Sequence, residues 1–249
     1  SQPKIIALYI THHSKSSKIS TLKRRIASIS VLHKLKGHYL DTKHPILMEN
    51  LHGIKRTIGS RQKAKKPILI NDLKLIIKAI DEEKIRDKAL ILIGFSGGFR
   101  RSELVNIHYD DIEFVTEGVK ILIKRSKTDQ SGEGSIKAIP YFDNQEFCPV
   151  VALKNYVNKK FSNTNEGKIF NISDKSVALI IKRYAKKAGL DSSKYAGHSL
   201  RSGFATTAAE FGAEERNIMA MTGHKTTQMV RRYIQEANLF KNNALNKIK

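Results

Sequence analysis

A mainly α-helical fold interrupted once by a small antiparallel β-sheet (α+β) is what this 249-residue sequence predicts, on three observations. Apolar residues recur at helical spacing on both sides of the chain's middle, the signature of amphipathic helices packed on a core. Only between Tyr109 and Tyr141 does the period change, to the alternation and β-branched residues of strands, in VKILIKR and IKAIPYF. An apolar share of 40% is adequate, in a chain of this length, for one large core or two ordinary ones.

In TLKRRIASISVLHKLKGHYL, Leu22, Ile26, Ile29, Leu32 and Leu35 share a helical stripe, with Ser20 as its N-cap and Gly37 near its end. A second helix runs from Ile46 to Ile58 behind Pro45, which suits a first helical turn. GSRQKAKKP, Gly59 to Pro67, has linker composition and sets a domain boundary. Beyond it, helices are expected from Asn71 or Asp72 through Ile80, from Ile85 to Phe95 and from near Arg100. Two or three strands follow, turning at Glu117-Gly118 and around Gly132 to Gly134. Helices resume over Val150–Phe161, Asp174–Ala188, His198–Phe211, Ala213–Met221 and Thr226–Tyr233, the last with Met229, Tyr233 and Ala237 on one stripe. In the tail, Leu239, Phe240, Ala244, Leu245 and Ile248 form an apolar stripe on a short helix.

Forty-five Lys+Arg against 23 Asp+Glu give a net charge of +22, which would repel itself in a compact state unless it served an anionic partner. Nucleic acid is the first candidate, before an acidic membrane surface. The charge is concentrated: residues 1–66 hold 15 Lys+Arg and 2 Asp+Glu. A single cysteine, Cys148, excludes an internal disulfide and a zinc-thiolate cluster, and fits a reducing, cytoplasmic setting. ALILIGF, the longest apolar run, is far below the roughly 20 residues of a membrane span, and IIALYI lacks the cleavage site of a signal peptide. The chain opens on Ser1 rather than Met, which leaves open whether residues precede it.

Chemistry-bearing residues gather in GHSLRSGFATTAAEFG and TGHKTTQMVRRY. His198 and Arg201 lie three apart, so a helix projects both from one face. His224 follows a glycine, and Tyr233 follows on the next amphipathic segment. GFRRSEL adds Arg100, with Glu103 three residues on, and the turn-like RSKTDQSGEG adds Lys127. Two arginines, two histidines, a lysine and a tyrosine suit chemistry on a phosphodiester: guanidinium forks match phosphate oxygens and stay charged. No H-E-x-x-H and no carboxylate cluster accompanies them, so neither metal nor cofactor is expected.

The ordered set GFRRSEL, RSKT, HSLR, GH and a following Tyr resembles the tyrosine recombinase (phage integrase) family. The spacings fit that pattern too, 32 residues from Arg201 to Tyr233 and nine from His224 to Tyr233. The resemblance covers Pro67 to Asn238 well and the first 66 residues weakly. It implies a catalytic domain over 67–249, preceded over 1–66 by a short, helical, DNA-gripping core-binding domain and linker. Arg100 and Arg201 would be the paired catalytic arginines, and Tyr233 the nucleophile that leaves a 3′-phosphotyrosine. Lys127 would be the hairpin lysine that protonates the leaving 5′-oxygen, with Lys124 and Lys137 as rivals. His198 and His224 would divide proton acceptance and phosphate hydrogen bonding, in an order the residues leave open. Glu103 would orient Arg100 or a neighbouring histidine, or be an ordinary first-turn acid.

The function implied is site-specific recombination of double-stranded DNA without metal or ATP, in a tetramer on two sites. A tail helix, about 239–249, would dock into a neighbouring subunit, and accessory DNA-bending proteins are admissible partners at the nucleoid. The alternatives are a type IB topoisomerase-like or transposase-like strand transferase, or a non-catalytic DNA-binding relative. Two positions depart from the family: Ser202 stands where a second histidine is frequent and Thr222 where an apolar residue is frequent. Neither is expected to touch the catalytic atoms.

Overall fold

The computed structural model describes residues 2–59, 65–124, 134–162, 165–238, 240 and 244–248. Two compact units divide the chain, Ser1–Ala64 and Lys65–Lys249. Among its described residues the first holds three helices, α1 (Pro3–Ser14), α2 (Ile19–Leu35) and α3 (Pro45–Ile58). Proline opens α1 and α3, where its missing N–H would have no helical partner in any case. Ile6, Ile10, Leu22, Ile26, Leu47 and Leu51 are among the residues of a closed apolar core.

Three details differ from the sequence reading. The segment IIALYI is the centre of α1, whose Ile6, Ala7 and Ile10 enter the core. The α2 stripe is buried only in its first half: Leu22 is fully buried, while Leu32 and Leu35 are 58% and 77% exposed. The helix starts behind Lys18 as N-cap rather than Ser20.

In the second unit α5 (Ile85–Ser96) is the axis. Every residue from Ala89 to Ser96 is buried, which explains why its sequence is apolar all round rather than striped. Around it pack α4 (Ile70–Lys78), α6 (Arg101–Val105), α7 (Pro149–Lys160), α8 (Asp174–Lys187) and α9 (Ser199–Glu210). Even its one buried charge is tied, Asp87 accepting from Arg86 and from the Tyr184 hydroxyl at 2.9 Å.

Three antiparallel strands, β1 (Ile112–Val115), β2 (Gly118–Ile123) and β3 (Ser135–Pro140), pair in the order β1-β2-β3. In this register Lys137 of β3 lies opposite Ile121, and both are buried. Chain order ends with α10 (Glu215–Thr222), α11 (Thr227–Ala237) and a short 3₁₀ turn, Ala244–Lys247. On α11 the inward residues are Val230, Tyr233, Ile234 and Ala237, and Met229 is 57% exposed, so the expected stripe turns by one position. Phe240, Leu245 and Ile248 are all strongly exposed, and Leu239 lies outside the described residues. Among the described residues no helix is long and apolar enough to cross a membrane.

The end of the expected linker belongs to the second unit. Lys66 N–H donates to the Lys194 carbonyl at 2.8 Å, and Ile68 N–H to the Ser199 carbonyl at 3.0 Å. Segment 66–68 thereby runs against the start of α9, and Gly203 permits the approach: a Cβ there would sit 2.0 Å from the Ile68 carbonyl oxygen. Backbone cannot swing aside as a side-chain tip can. Gly203→Ala is therefore expected to lower stability by about 1–3 kcal/mol, read as a fall in the urea midpoint at unchanged m-value.

Candidate active site

The site is built where two helices end. Helix α5 finishes at Gly97, and Gly98 takes a positive φ of 55° that suits glycine and turns the chain toward Arg100. Helix α10 finishes at Thr222 with Gly223 as a left-handed cap, φ 62°. Both ends present backbone carbonyls that no further turn satisfies, and the negative ends of their dipoles favour cations.

Three cations occupy these carbonyls. Arg201, on the first turns of α9 and 1% exposed, donates from Nη1 to the Gly98 carbonyl at 2.9 Å. Arg100, at the N-cap of α6, donates from Nη2 to the Gly223 carbonyl at 3.2 Å. Lys137 donates to the Gly97 carbonyl at 2.7 Å and to the Met221 carbonyl, with its Nζ 4.7 Å from the centroid of the Phe99 ring.

Glu103 orients Arg100 rather than a histidine. Its carboxylate accepts from the Arg100 guanidinium at 2.6 Å and from the Arg100 backbone N–H at 2.9 Å, closing the N-terminus of α6. Glu103 is itself buried, so this pair is shielded from solvent.

The electrostatics follow from crowding. Burial, then the Arg100 charge, hold Arg201 down to about 10, which still leaves it charged at neutral pH. Lys137 is brought down to about 8, first by burial and then by Arg201 and Arg100 against the opposing pull of Glu103. His198, more open to solvent, is lowered by desolvation of its ring and by Arg201, Arg101 and Arg100. His224, half-buried beyond the end of α10, is lowered to about 4 by burial and the charges of Arg201, Arg100, His198 and Lys137. Its ring lies 6.0 Å from that of Tyr233, centroid to centroid, and Tyr233 in turn acts electrostatically on Arg201.

Arg100, Arg201, His198, His224 and Tyr233 thus converge, with Glu103 behind them. Lys127 falls within residues 125–133, outside the described residues. The ammonium groups of its two rivals are already paired. Lys124 pairs with Asp111 at 2.7 Å, and the Lys137 ammonium is turned onto buried backbone. Sequence reasoning missed the part Lys137 plays, because its alternation places it on a strand without saying that the strand's inner face abuts two helix ends.

Thr222 corrects a second expectation. Its hydroxyl lies 2.7 Å from Nδ1 of His224, in direct contact with a member of the constellation. Ser202 does stay apart, its hydroxyl bonding, among the described residues, the backbone carbonyls of His198 and Ser199. Spacing could have raised the Thr222 contact, since a residue two before His224 across a left-handed cap folds back on it.

Comparison with known proteins gives the family. The profile of the Phage integrase family matches residues 66–239. An integrase/recombinase xerD homolog of Selenomonas ruminantium is 42% identical, over 99% of this chain and 77% of its own length. The tyrosine recombinase XerA of Pyrococcus furiosus is 30% identical over 71% of this chain and 63% of its own. Among solved structures, the XerH site-specific recombinase bound to palindromic difH substrate, a post-cleavage complex, superposes with a TM-score of 0.70. It is 17% identical, over 98% of this chain and 73% of that one. A lambda integrase tetramer bound to a Holliday junction gives 0.61 at 16% identity, over 95% of this chain and 65% of that one. The chain belongs to the phage integrase family, the tyrosine recombinases, which are DNA strand transferases of the site-specific recombinase class.

The lowered His224 pKa has a testable sign. Folding disfavours the imidazolium, so between about 6.5 and about 4 the unfolded chain binds more protons, and stability falls as pH falls through that window. His224 ring resonances, followed by NMR, are expected to hold their neutral positions at pH 5.5 and to titrate only near 4. A midpoint near 6.5 would contradict the crowded-cation account.

Proposed function

We propose that this protein cuts and rejoins DNA at defined sites through a covalent 3′-phosphotyrosine, using Tyr233 as nucleophile, without metal or ATP. The observation that carries the reading is the pair of guanidiniums at adjoining helix ends, with the two histidines and the tyrosine beside them. Cations held on fixed carbonyls need no reorganisation as charge builds on a phosphate, which is how preorganised donors lower a barrier. Arg100 and Arg201 clamp the non-bridging oxygens. The Tyr233 hydroxyl loses its proton to a histidine, its oxygen bonds phosphorus, and the P–O5′ bond breaks toward the 5′-oxygen. Lys127, by its place in the family pattern, supplies that oxygen's proton. Because the phosphotyrosine conserves the phosphodiester bond, reversal by a second 5′-hydroxyl completes the exchange without an energy source.

The partner is double-stranded DNA. The basic first unit, with 15 Lys+Arg against 2 Asp+Glu in residues 1–66, is the segment we assign to gripping the duplex. Active assembly is a homo-oligomer, a tetramer on two sites, with accessory DNA-bending proteins as further partners. The solved lambda integrase dimer bound to a core site and the tetramer bound to a Holliday junction support it by similarity. The exposed Phe240, Leu245 and Ile248 suit a tail that docks into the next subunit, a head-to-tail contact able to close a ring. A phage or mobile element is the setting we favour, in the cytoplasm at the nucleoid.

The decisive experiment incubates the protein with a library of nicked suicide duplexes in EDTA and recovers denaturation-resistant protein–DNA adducts. Adducts are expected, Tyr233→Phe should remove them while leaving DNA binding intact, and sequencing the trapped ends gives the target site. Binding without adducts would make the chain a non-catalytic relative, and site-independent relaxation of supercoiled plasmid would point to a topoisomerase-like enzyme. Deleting residues 239–249 should impair assembly on DNA while shifting the thermal midpoint by less than about 4 °C, the shift of roughly 1 kcal/mol.

A further inference from the structure

GFRRSEL carries two arginines, of which Arg100 joins the converging group. Arg101, the first residue of α6, is fixed in another way. Its side chain lies across Gly197, the residue before His198: a Cβ there would sit 2.0 Å from Cδ of Arg101, 2.8 Å from its Cγ and 3.1 Å from its Nε. A side chain at 197 would push the arginine off this track. The stem is thus held by packing while the head stays in water. Arg101 is 42% exposed, and its ion-pair partner among the described residues is Asp174, 3.9 Å away and 46% exposed. That separation is too long for a hydrogen bond, and an exposed pair at such a distance contributes little.

Each arginine of the pair lies on the glycine before one of the two histidines, Arg100 on Gly223 and Arg101 on Gly197. The head of Arg101 is therefore at the rim of the site, and its charge acts on His198 more strongly than that of Arg100 does. We infer that Arg101 binds a DNA backbone phosphate next to the scissile one on the same strand, contacting the duplex without touching the reacting atoms. This deepens the proposed strand-transfer reading and rests on it for which phosphate is scissile. A guanidinium fork with an anchored stem and open donors suits two phosphate oxygens. Successive phosphates of a strand rise by about 3.4 Å, so consecutive arginines turned to different places can serve neighbouring ones. Such a contact sets the register of the strand over the site and carries no base information.

The first arm of the test needs no target site. Binding of the full chain to a random-sequence duplex is followed across salt concentrations for the wild type, Arg101→Gln and Arg101→Lys, with thermal midpoints matched to show that all three fold. One neutralised phosphate contributes about 0.9 to the slope of log K against log salt. Arg101→Gln should flatten the slope by about that amount and weaken binding on the order of tenfold at low salt, while Arg101→Lys keeps the slope. An unchanged slope in Arg101→Gln overturns the inference.

The second arm locates the phosphate. On the nicked duplex recovered by the trapping experiment, phosphates around the scissile one are replaced singly by uncharged methylphosphonates, and Tyr233→Phe protein is used so that binding is read without cleavage. Affinity should fall at one neighbour of the scissile phosphate, and Arg101→Gln should add nothing to the loss there while adding its full effect elsewhere. Additive losses at both neighbours overturn the assignment. With Arg101 intact, the absence of any loss at either neighbour does so too, even if the variant fails to fold. If the wild-type protein forms no adduct, the strand-transfer reading fails while the salt slope still decides whether Arg101 holds a phosphate.

Discussion

Burying Arg201 is the constraint from which the architecture of the second unit follows. A guanidinium taken almost wholly out of water is costly unless its donors meet acceptors that cannot turn away. Here the acceptor is the carbonyl of Gly98, just past the end of α5, the most buried helix of the unit. That carbonyl points at Arg201 only because Gly98 adopts a left-handed conformation. The neighbouring Gly97 carbonyl is held by Lys137, so the glycine pair is pinned from the sheet side as well. Lys137 also reaches the Met221 carbonyl near the end of α10. One ammonium thus ties β3, α5 and α10 together, and the cation cluster is stabilised by the dipole ends of two helices before any ligand arrives.

The same crowding sets the chemistry. Arg100 and Arg201 depress each other's neighbours and are offset by Glu103, but the balance at the site remains positive. An incoming phosphate relieves this repulsion, and a phosphorane, carrying more charge, relieves it further. Binding energy realised mainly in the transition state is what accelerates a reaction. The cost of assembling the cluster is borne by the apolar packing of α5, and it is recovered at the scissile bond.

Much of this was legible in the sequence, for reasons that differ by element. Arg100, His198, Arg201, His224 and Tyr233 could be found because their order and spacing are fixed by helices of set rise, and the structure brings them together. Helix α3 carried a clear boundary in Pro45, and the expected spans of α5, α7, α8 and α9 end within about a residue of the observed ones. Helix α1 was hidden because IIALYI was weighed only as a leader. The α2 stripe misled because apolar spacing records which face can be buried, whereas Leu32 and Leu35 extend past the partner helices that would cover them. Lys137 and Thr222 were illegible for a deeper reason: each is placed by backbone carbonyls, and the sequence does not print where a carbonyl points.

Attachment of the helix that carries Tyr233, the nucleophile we propose, is the last consequence. Helix α11 does not enter the main core; Val230 is its one fully buried residue among those described. It rests on a small separate cluster with Ala205, Ala209 and Ile218. Few buried contacts mean a low local free energy of opening, far below that of α5. Arg201, by contrast, sits at the other end of that same α9, locked to Gly98. The proposed phosphate clamp on α9 and the proposed nucleophile on α11, which rests on α9, are therefore mounted with unequal stiffness. In the strand transfer we propose, a phosphate is held still while a tyrosine enters, bonds and leaves, and that inequality suits both: stiffening α11 would slow the exchange, and loosening α9 would lose the phosphate.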